Sequence, residues 1–224
     1  MKNLTANRPP LKGIIFDFDG TLVDSLVNAT ECFNEALLLC REAPRTAEEI
    51  KKHFGTGADR IFFQLLKDDQ RAKTAFSAYK QRMRDRAHQI FLHEGVSDLL
   101  GQLQKAQIPL GIVTGRHQDD LEIVLEPHGI KDLFQVLIAD NQVKNSKPHP
   151  EGLLLALEKM KLDPQETMYV GDSTVDIQAA KAAGTLSVGA LWDSLASLDA
   201  LSLEQPDHLI QTPSEIWTLF NESR

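Results

Sequence analysis

Two aspartates stand at the end of a short apolar run near the start of the chain. Asp17 and Asp19 follow residues 14–16, Ile-Ile-Phe, and Gly20 lets the chain turn sharply after them. Two carboxylates this close repel each other, and burying them is costly unless a cation or a proton compensates their charge. Carboxylate oxygens suit Mg²⁺, and an aspartate can also attack phosphorus as a nucleophile. The pattern indicates a magnesium site with a candidate nucleophile, although an acidic turn after a strand is often only a turn.

A second acidic pair follows another apolar run. Asp172 and Asp176 lie in the segment 171–176, Gly-Asp-Ser-Thr-Val-Asp, which comes after residues 168–170 and opens a helix. If the two strands are neighbours, Asp172 reaches the same metal ion as Asp17, and Asp176 lies one helical turn later. Taken alone, the pair is better explained as a helix N-cap at Asp172 and an aspartate favoured by the helix dipole.

Candidate phosphate-binding groups follow two further segments. Thr114 ends the run at 110–113, and its hydroxyl together with the N–H of Gly115 can bind a phosphate oxygen. Lys147 stands before Pro148 in a stiff loop, which can aim the ammonium group at an anion. The simpler explanations are a strand-end threonine in a turn and an exposed lysine.

Short apolar runs alternate with helical patterns through most of the chain. The runs that predict buried strands are 14–16, 110–113, 136–139, 168–170, 186–188 and 209–210. Alternating strands and helices predict an α/β fold, with a doubly wound parallel sheet covered by helices on both faces. The carboxyl ends of its strands form one edge, and open α/β sheets bind ligands there. We therefore expect the acidic pairs at that edge.

Residues 25–90 break this alternation. Helical apolar stripes follow one another here, and Thr46 with Glu49 forms a capping box at the start of the second helix. We predict an all-α domain at 25–90, inserted into a catalytic core made of 1–24 and 91–224.

The charge distribution limits the classes of partner. The chain of 224 residues has a formal net charge of −8, which argues against nonspecific attraction to nucleic acid or to an anionic membrane. Residues 25–90 carry a net charge of +3 and the remainder −11, which favours a small anionic substrate between them, although solvated faces explain it as well. We expect no membrane span and no secretory signal, because no apolar run is long enough and residues 1–10 are polar.

The two cysteines indicate a reducing compartment, and hence a cytoplasmic protein. Cys32 and Cys40 lie eight residues apart on one helical stripe. At ~1.5 Å per residue they are roughly 12 Å apart, whereas a disulfide needs Cα atoms within about 7 Å. We expect both to be buried, free thiols.

Four ordered motifs give the chain a specific resemblance to the haloacid dehalogenase superfamily. The segment 17–25, Asp-Phe-Asp-Gly-Thr-Leu-Val-Asp-Ser, resembles its first signature. Thr114, Lys147 with Pro148, and the segment 171–176 match the three later signatures in order. The resemblance covers essentially the whole chain. The position of the helical segment makes the chain similar to members with a helical cap between the first two motifs.

The resemblance implies a phosphatase with a Rossmann-like core that acts on a small phosphorylated metabolite. Asp17 would form an aspartyl phosphate, and Asp19 would be the acid for the leaving group and then the base for water. Mg²⁺ would be bound by the Asp17 carboxylate, the Asp19 backbone carbonyl and the Asp172 carboxylate, with Asp176 in support. The residues implied to bind the transferring phosphoryl group are Thr114, Gly115 and Lys147.

Substrate specificity would come from the cap and from the loop after the second motif. Gly55 and Gly57 form a flexible loop before a helix, and the segment 55–59, Gly-Thr-Gly-Ala-Asp, resembles that of phosphoglycolate phosphatases. This makes 2-phosphoglycolate the first substrate candidate, with Arg60 or Arg116 as the group that binds its carboxylate. A helix–helix turn is the better explanation of the loop taken alone. Arg116, where many relatives carry other residues, is also explained as a cation at a helix start.

Other activities stay open as alternatives. A phosphomutase, a pyrophosphatase or a nucleotidase would use the same nucleophile. A dehalogenase is less favoured because Asp19 is present, and a phosphonate hydrolase would need a cap amine, for which the candidates are Lys51, Lys52 and Lys67. From another class, a phospho-accepting signalling or binding module also places an aspartate beside Mg²⁺, but the cap, Asp19 and Lys147 argue against it.

We expect a monomer or a weak dimer.

Overall fold

A computed structural model describes residues 8–51 and 57–223. The strands among them are β1 (Gly13–Phe16), β2 (Val23–Asp24), β3 (Phe91–Leu92), β4 (Leu110–Val113), β5 (Val136–Ile138), β6 (Thr167–Gly171), β7 (Leu186–Ala190) and β8 (His208–Ile210). Six of them form one parallel sheet in the order β5-β4-β1-β6-β7-β8. The predicted doubly wound sheet is therefore confirmed, and each predicted run lies on one of its strands.

Helices cover both faces of this sheet. The helices among the described residues are α1 (Leu26–Leu39), α2 (Ala47–Lys51), α3 (Ala58–Leu66), α4 (Asp69–Asp85), α5 (Val96–Lys105), α6 (Gln118–His128), α7 (Glu151–Met160), α8 (Thr174–Ala183), α9 (Leu198–Leu203) and α10 (Ser214–Glu222). Those on the sheet are α5, α6 and α10 on one face and α7 and α8 on the other. Ile14 and Phe16 of β1 pack with residues of α5, α6 and α10, whereas Ile15 packs with residues of α7 and α8. Alternate side chains of one strand thus enter two cores, which explains the continuous apolar runs.

The direction of winding reverses at β1. β4 and β5 lie on one side of β1, and β6, β7 and β8 lie on the other. Phe16 of β1 is paired with Val170 of β6, so the two strands end side by side. A parallel sheet opens a crevice at such a switch point, outside the carboxyl ends of its strands. Asp17 and Asp172 leave their strands at this crevice.

Residues 25–90, called the helical insert below, have an aromatic core of their own. Phe33 of α1 stacks on Phe62 of α3 with ring centroids 4.1 Å apart, and Tyr79 of α4 packs edge-on against both rings. The predicted capping box is confirmed, because the Thr46 N–H donates to Glu49 (2.8 Å) and the Glu49 N–H donates to the Thr46 hydroxyl (3.2 Å).

A short antiparallel ladder that the sequence did not predict joins the two ends of the helical insert. Val23 of β2 pairs with Leu92 of β3, and Asp24 pairs with Phe91. Two residues per strand are too few for an alternating pattern to be recognised. The ladder holds together the two points at which the chain passes between the core and the helical insert. The domain boundaries at 24/25 and 90/91 stay predictions.

The cysteines behave as their spacing predicts. Cys32 and Cys40 are both buried and neither forms a disulfide. Each acts as a small apolar side chain in the packing of the insert. No helix in the described part of the chain is both long and apolar enough to cross a bilayer.

Truncation of the aromatic core should destabilise the helical insert. Phe33 is fully buried against Phe62, so we expect Phe33→Ala to lower the free energy of unfolding by about 3–5 kcal/mol. Leu38→Ala on the same helix is the control, because Leu38 is 56% exposed and its loss should cost less than about 0.5 kcal/mol. Urea unfolding followed by circular dichroism measures both. Equal midpoints for the two variants would contradict this account of the insert.

Candidate active site

Three carboxylates meet where β1 and β6 end. Asp17, Asp172 and Asp176 each offer an oxygen atom, and these atoms all lie within 4.8 Å of one another. Asp17 and Asp172 are 4% exposed, and Asp176 is fully buried. The N–H of Asp17 donates to the carbonyl of Val170 (2.8 Å), which extends the β1–β6 ladder and fixes the position of the carboxylate. The structure thus brings the two predicted acidic pairs together, and we call these three residues the acidic edge.

The ammonium group of Lys147 lies within the acidic edge. Its Nζ donates to Asp17 Oδ1 (2.8 Å), to Asp176 Oδ1 (2.6 Å) and to the Tyr169 hydroxyl (3.2 Å). These bonds use all three N–H groups of an ammonium. Burial alone would lower the pKa of Lys147, but Asp17 and Asp176 raise it well above its ordinary value. The side chain is therefore charged, and it holds Oδ1 of the Asp17 carboxylate in place.

Three carboxylates and one ammonium leave an excess of negative charge. Burial raises the pKa of Asp17 well above its ordinary value, and Asp176 and Asp172 add to this rise although Lys147 opposes it. A carboxylate must be ionised to act as a nucleophile, so a further cation is needed for that chemistry. The clustered oxygens of Asp17 and Asp172 are the hard donors that a divalent cation prefers, so the residues present fit such an ion.

Asp176 has the position of a supporting group. Its Oδ1 lies 2.6 Å from Lys147 Nζ and 3.0 Å from the Tyr169 hydroxyl, and its Oδ2 accepts from the backbone N–H of Ser173 (3.0 Å) and from the Ser173 hydroxyl. The carboxylate therefore orients Lys147 and closes the first turn of α8. The N-cap of this helix is Ser173, so the simpler explanation of Asp172 as the N-cap is wrong.

Asp19 lies beside the acidic edge and is held by two donors. The Ser25 hydroxyl donates to Oδ1 (2.5 Å), and Arg116 donates from Nε to Oδ2 (3.1 Å) and from Nη2 to Oδ1. Burial alone would raise the pKa of Asp19, but the Arg116 guanidinium and the Ser25 hydroxyl hold it below its ordinary value. The two neighbouring aspartates of the first motif therefore have opposite electrostatic environments.

A cavity of about 70 Å³ separates the sheet edge from the helical insert. A cavity needs only ~10–15 Å³ on this measure to hold one water, so the space admits several waters or a small molecule. The insert contributes an apolar wall, and the sheet contributes a polar wall that includes Asp17, Asp19, Thr114, Gly115, Arg116 and Asp172. Thr114 is oriented by the Arg116 N–H, which donates to its hydroxyl oxygen (3.1 Å). The phosphate-binding candidates Thr114 and Gly115 thus face the same space as Asp17.

The candidates for substrate specificity lie in different places. Arg116 lines the cavity, whereas Arg60 donates from Nη2 to the carbonyl of Lys144 (3.1 Å), outside the cavity walls. Gly57 is the N-cap of α3, and a Cβ there would lie 2.4 Å from Asp140 Oδ2, so close packing explains this glycine. Gly55 lies outside the described residues. The placement favours Arg116 over Arg60, and the specificity roles stay predictions.

Tyr169 and Ser25 are contacts of the site to which sequence reasoning gave no role. The Tyr169 hydroxyl lies 3.0 Å from the carbonyl oxygen of Val113 and 3.2 Å from Lys147 Nζ, so it joins β4 and β6 beneath the acidic edge. A tyrosine in a strand buried on both faces is a usable signal, because its hydroxyl needs a partner there. Ser25 offers no such signal, since a serine before a helix is common as a cap.

Ion pairs hold the helical insert over the cavity. Arg84 of α4 donates to Asp119 and to Asp120 of α6, both at 2.9 Å. Lys80 Nζ lies 3.3 Å from Asp119 and 3.6 Å from Asp120, and Asp120 also lines the cavity. These contacts place the apolar wall of the insert opposite the acidic edge.

The strand order and the acidic edge define a doubly wound α/β enzyme with its site at the switch point. Residues 14–190 match the family model of the haloacid dehalogenase-like hydrolases. The chain is 33% identical to the phosphoglycolate phosphatase of Escherichia coli (strain K12), with 92% of this chain and 91% of that one covered. It is 32% identical to the phosphoglycolate phosphatase of Pectobacterium atrosepticum, with 100% and 96% covered.

Solved structures agree with these relatives. A Bacteroides fragilis protein described as a haloacid dehalogenase-like hydrolase is 28% identical and superposes with a TM-score of 0.84, covering 92% of this chain and 99% of the other. A hydrolase from Pseudomonas syringae, 23% identical, shares the fold with a TM-score of 0.85 over 94% and 98%. The chain belongs to the haloacid dehalogenase-like hydrolases. It is a phosphatase, a phosphoric monoester hydrolase for a small-molecule substrate, rather than a phospho-accepting signalling module.

The packing of Gly171 against Asp176 can be tested directly. A Cβ on Gly171 would lie 2.4 Å from Cβ and Cγ of Asp176, so an alanine must displace Asp176 and with it Lys147. We expect Gly171→Ala to lower kcat at least about tenfold, since small displacements of catalytic groups are costly. In the control Gly101→Ala, the new Cβ meets nothing within 4 Å, so kcat should not change. An unaltered kcat in Gly171→Ala, measured by phosphate release, would show that Asp176 does not position the site.

Proposed function

We propose that this phosphatase hydrolyses 2-phosphoglycolate, or a closely similar small phosphorylated acid, with Mg²⁺ and through an aspartyl phosphate. The observation that carries the proposal is the contact between Lys147 and Asp17. It fixes a buried carboxylate in the cavity wall, next to the oxygens of Asp172, with a positive charge beside it. Positioned charge of this kind is the main requirement of phosphoryl transfer.

Asp17 and Asp19 would share the covalent chemistry. An Asp17 oxygen bonds to phosphorus while the bond from phosphorus to the glycolate oxygen breaks. Asp19 gives the glycolate oxygen the proton that it has retained from the water attack of the preceding cycle. Water then attacks the same phosphorus, Asp19 takes a proton from the water, and the bond from phosphorus to Asp17 breaks to release phosphate. The hydroxyl of Thr114 would bind a phosphoryl oxygen during both transfers. The ammonium of Lys147, whose three N–H groups are bonded to oxygens of the protein, would exchange one of these contacts for a second phosphoryl oxygen.

The metal requirement follows from the excess charge of the acidic edge. Mg²⁺ would be held by the carboxylates of Asp17 and Asp172 and by the main-chain carbonyl of Asp19, with Asp176 outside this set. When bound, it would offset the negative charge of the phosphoryl group and of the Asp17 carboxylate. The carboxylate cluster is what supports this assignment.

Three observations support a small acid as the substrate. The cavity is small, and a buried guanidinium, that of Arg116, lies in its wall. The helical insert that covers it carries a net charge of +3. The Escherichia coli and Pectobacterium atrosepticum relatives are named as phosphoglycolate phosphatases.

We also propose a cytoplasmic enzyme that is a monomer or a weak dimer and has no nucleic-acid or membrane partner. The net charge of −8 supports the absence of polyanionic partners. The two buried free thiols support a reducing compartment.

The role of Asp17 predicts the effect of an isosteric change. Asp17→Asn should abolish turnover, by at least about 10³-fold, because an amide cannot attack phosphorus as a carboxylate does. The matched control is Asp132→Asn, since Asp132 is exposed on the core surface and should be silent. Phosphate release and circular dichroism measure activity and folding together. Activity of Asp17→Asn within tenfold of the unaltered enzyme would refute the proposed nucleophile.

The substrate assignment predicts a ranking. With Mg²⁺, kcat/KM for 2-phosphoglycolate should exceed that for sugar phosphates, nucleoside monophosphates and pyrophosphate at least about tenfold, because a small cavity with a buried guanidinium in its wall discriminates by size and charge. Phosphate release over this panel measures it. If 2-phosphoglycolate is no better than the median of the panel, the substrate is another one, whereas the phosphatase class stands.

A further inference from the structure

Arg116 is a buried basic group of the cavity that the two transfer steps do not use. Its side chain is 7% exposed. Its main chain is held on both sides, because its N–H donates to the Thr114 hydroxyl (3.1 Å) and its carbonyl accepts from the Asp140 N–H (3.0 Å). Because the main chain of Arg116 is held in this way, the guanidinium can exchange Asp19 for another partner only by rotation about the side-chain bonds.

The guanidinium already binds a carboxylate within the cavity. Nε and Nη2 donate to the two oxygens of Asp19, and the guanidinium carbon lies 5.7 Å from the centroid of the Phe18 ring. Two parallel N–H groups on a planar fork match the two oxygens of a carboxylate, and an ammonium cannot reproduce this geometry. The cavity wall thus contains a complete carboxylate-binding group, occupied by a side chain of the protein itself.

The other basic groups near the cavity are committed elsewhere. The three N–H groups of Lys147 are bonded within the acidic edge. Arg60 donates to a main-chain carbonyl outside the cavity, and Arg84 is paired with two aspartates of α6. With Lys147 and Thr114 assigned to the phosphoryl group, the basic side chains that line the described cavity are Arg116 and His117. His117 Nε2 lies 3.6 Å from a carboxylate oxygen of Asp59, whereas Arg116 already binds a carboxylate at the cavity wall, so Arg116 is the better candidate for a second anionic group.

We propose that Arg116 binds the carboxylate of the substrate, and that this carboxylate replaces Asp19 as the partner of the guanidinium. The inference rests on the proposed function, because it assigns the specificity of the same site. The substrate class is a small phosphomonoester that carries a carboxylate one or two carbons from the ester oxygen. The exchange of partners also frees the Asp19 carboxyl to contact the leaving-group oxygen. A substrate with a neutral tail leaves Arg116 on Asp19 and is turned over more slowly.

A matched pair of substrates tests the proposal. 2-Phosphoglycolate and its amide have nearly the same size and differ in the charge of the tail. We expect the unaltered enzyme to prefer the acid by roughly ten- to a hundredfold in kcat/KM, the range of a charge-assisted hydrogen-bonded pair. In Arg116→Ala, the kcat/KM values for the acid and the amide should differ by less than about threefold, chiefly because KM for the acid rises. Arg116→Lys should retain part of it, and Arg60→Ala should retain all of it.

The outcomes separate the inference from the proposed function. An equal loss on both substrates in Arg116→Ala, with the preference kept, would mean that Arg116 acts only through Asp19 and would overturn the inference alone. A preference lost in Arg60→Ala but kept in Arg116→Ala would overturn it as well. An unaltered enzyme that does not prefer the acid would overturn both the substrate assignment and the inference, and this result needs no variant. If Arg116→Ala does not fold by circular dichroism, Arg116→Gln gives the same comparison with a neutral side chain of similar shape.

Discussion

One ammonium group among three buried carboxylates is the constraint on which this site depends. Lys147 binds Asp17 and Asp176 directly, and Asp172 lies within the same cluster. Like charges this close are tolerated only with a compensating cation. Lys147 is itself buried, so its position depends on Tyr169 and on the strands around it. A divalent ion held by these carboxylates would offset the excess negative charge that would otherwise repel the oxygens of a phosphoryl group.

The strand order of the sheet brings the acidic residues together, and the ion pair between Asp19 and Arg116 forms a second half of the site. Because winding reverses at β1, the ends of β1 and β6 lie side by side, and the acidic edge forms between Asp17 and Asp172, which are 155 positions apart in the chain. Asp17 and Lys147 occupy the half where phosphoryl transfer would occur. Asp19 and Arg116 occupy the half of the leaving group, under the apolar wall of the insert. The two neighbouring aspartates of the first motif thus have different cationic partners, Lys147 for Asp17 and Arg116 for Asp19.

The elements and the acidic edge follow from local patterns, whereas the partners of each charge do not. Buried parallel strands give continuous apolar runs, and strand ends share one edge, so the convergence of Asp17 and Asp172 was predictable. The pairing of Arg116 with Asp19 joins residues 97 positions apart, and no local pattern separates it from a helix-start cation. Gly57 shows the same limit, since a glycine required by Asp140 and a glycine required by a substrate look alike in a sequence. The ladder of β2 and β3 is too short to leave a periodic signal.

Diffraction from crystals grown with Mn²⁺, recorded near the manganese absorption edge, tests the central claim most directly. Mn²⁺ accepts the same oxygen ligands as Mg²⁺ and gives an anomalous signal that locates it. The account predicts one strong peak between the carboxylates of Asp17 and Asp172, with Lys147 still bonded to Asp176. No peak at the acidic edge, with a peak at the other acidic cluster of Asp59, His117 and Asp140 instead, would contradict it.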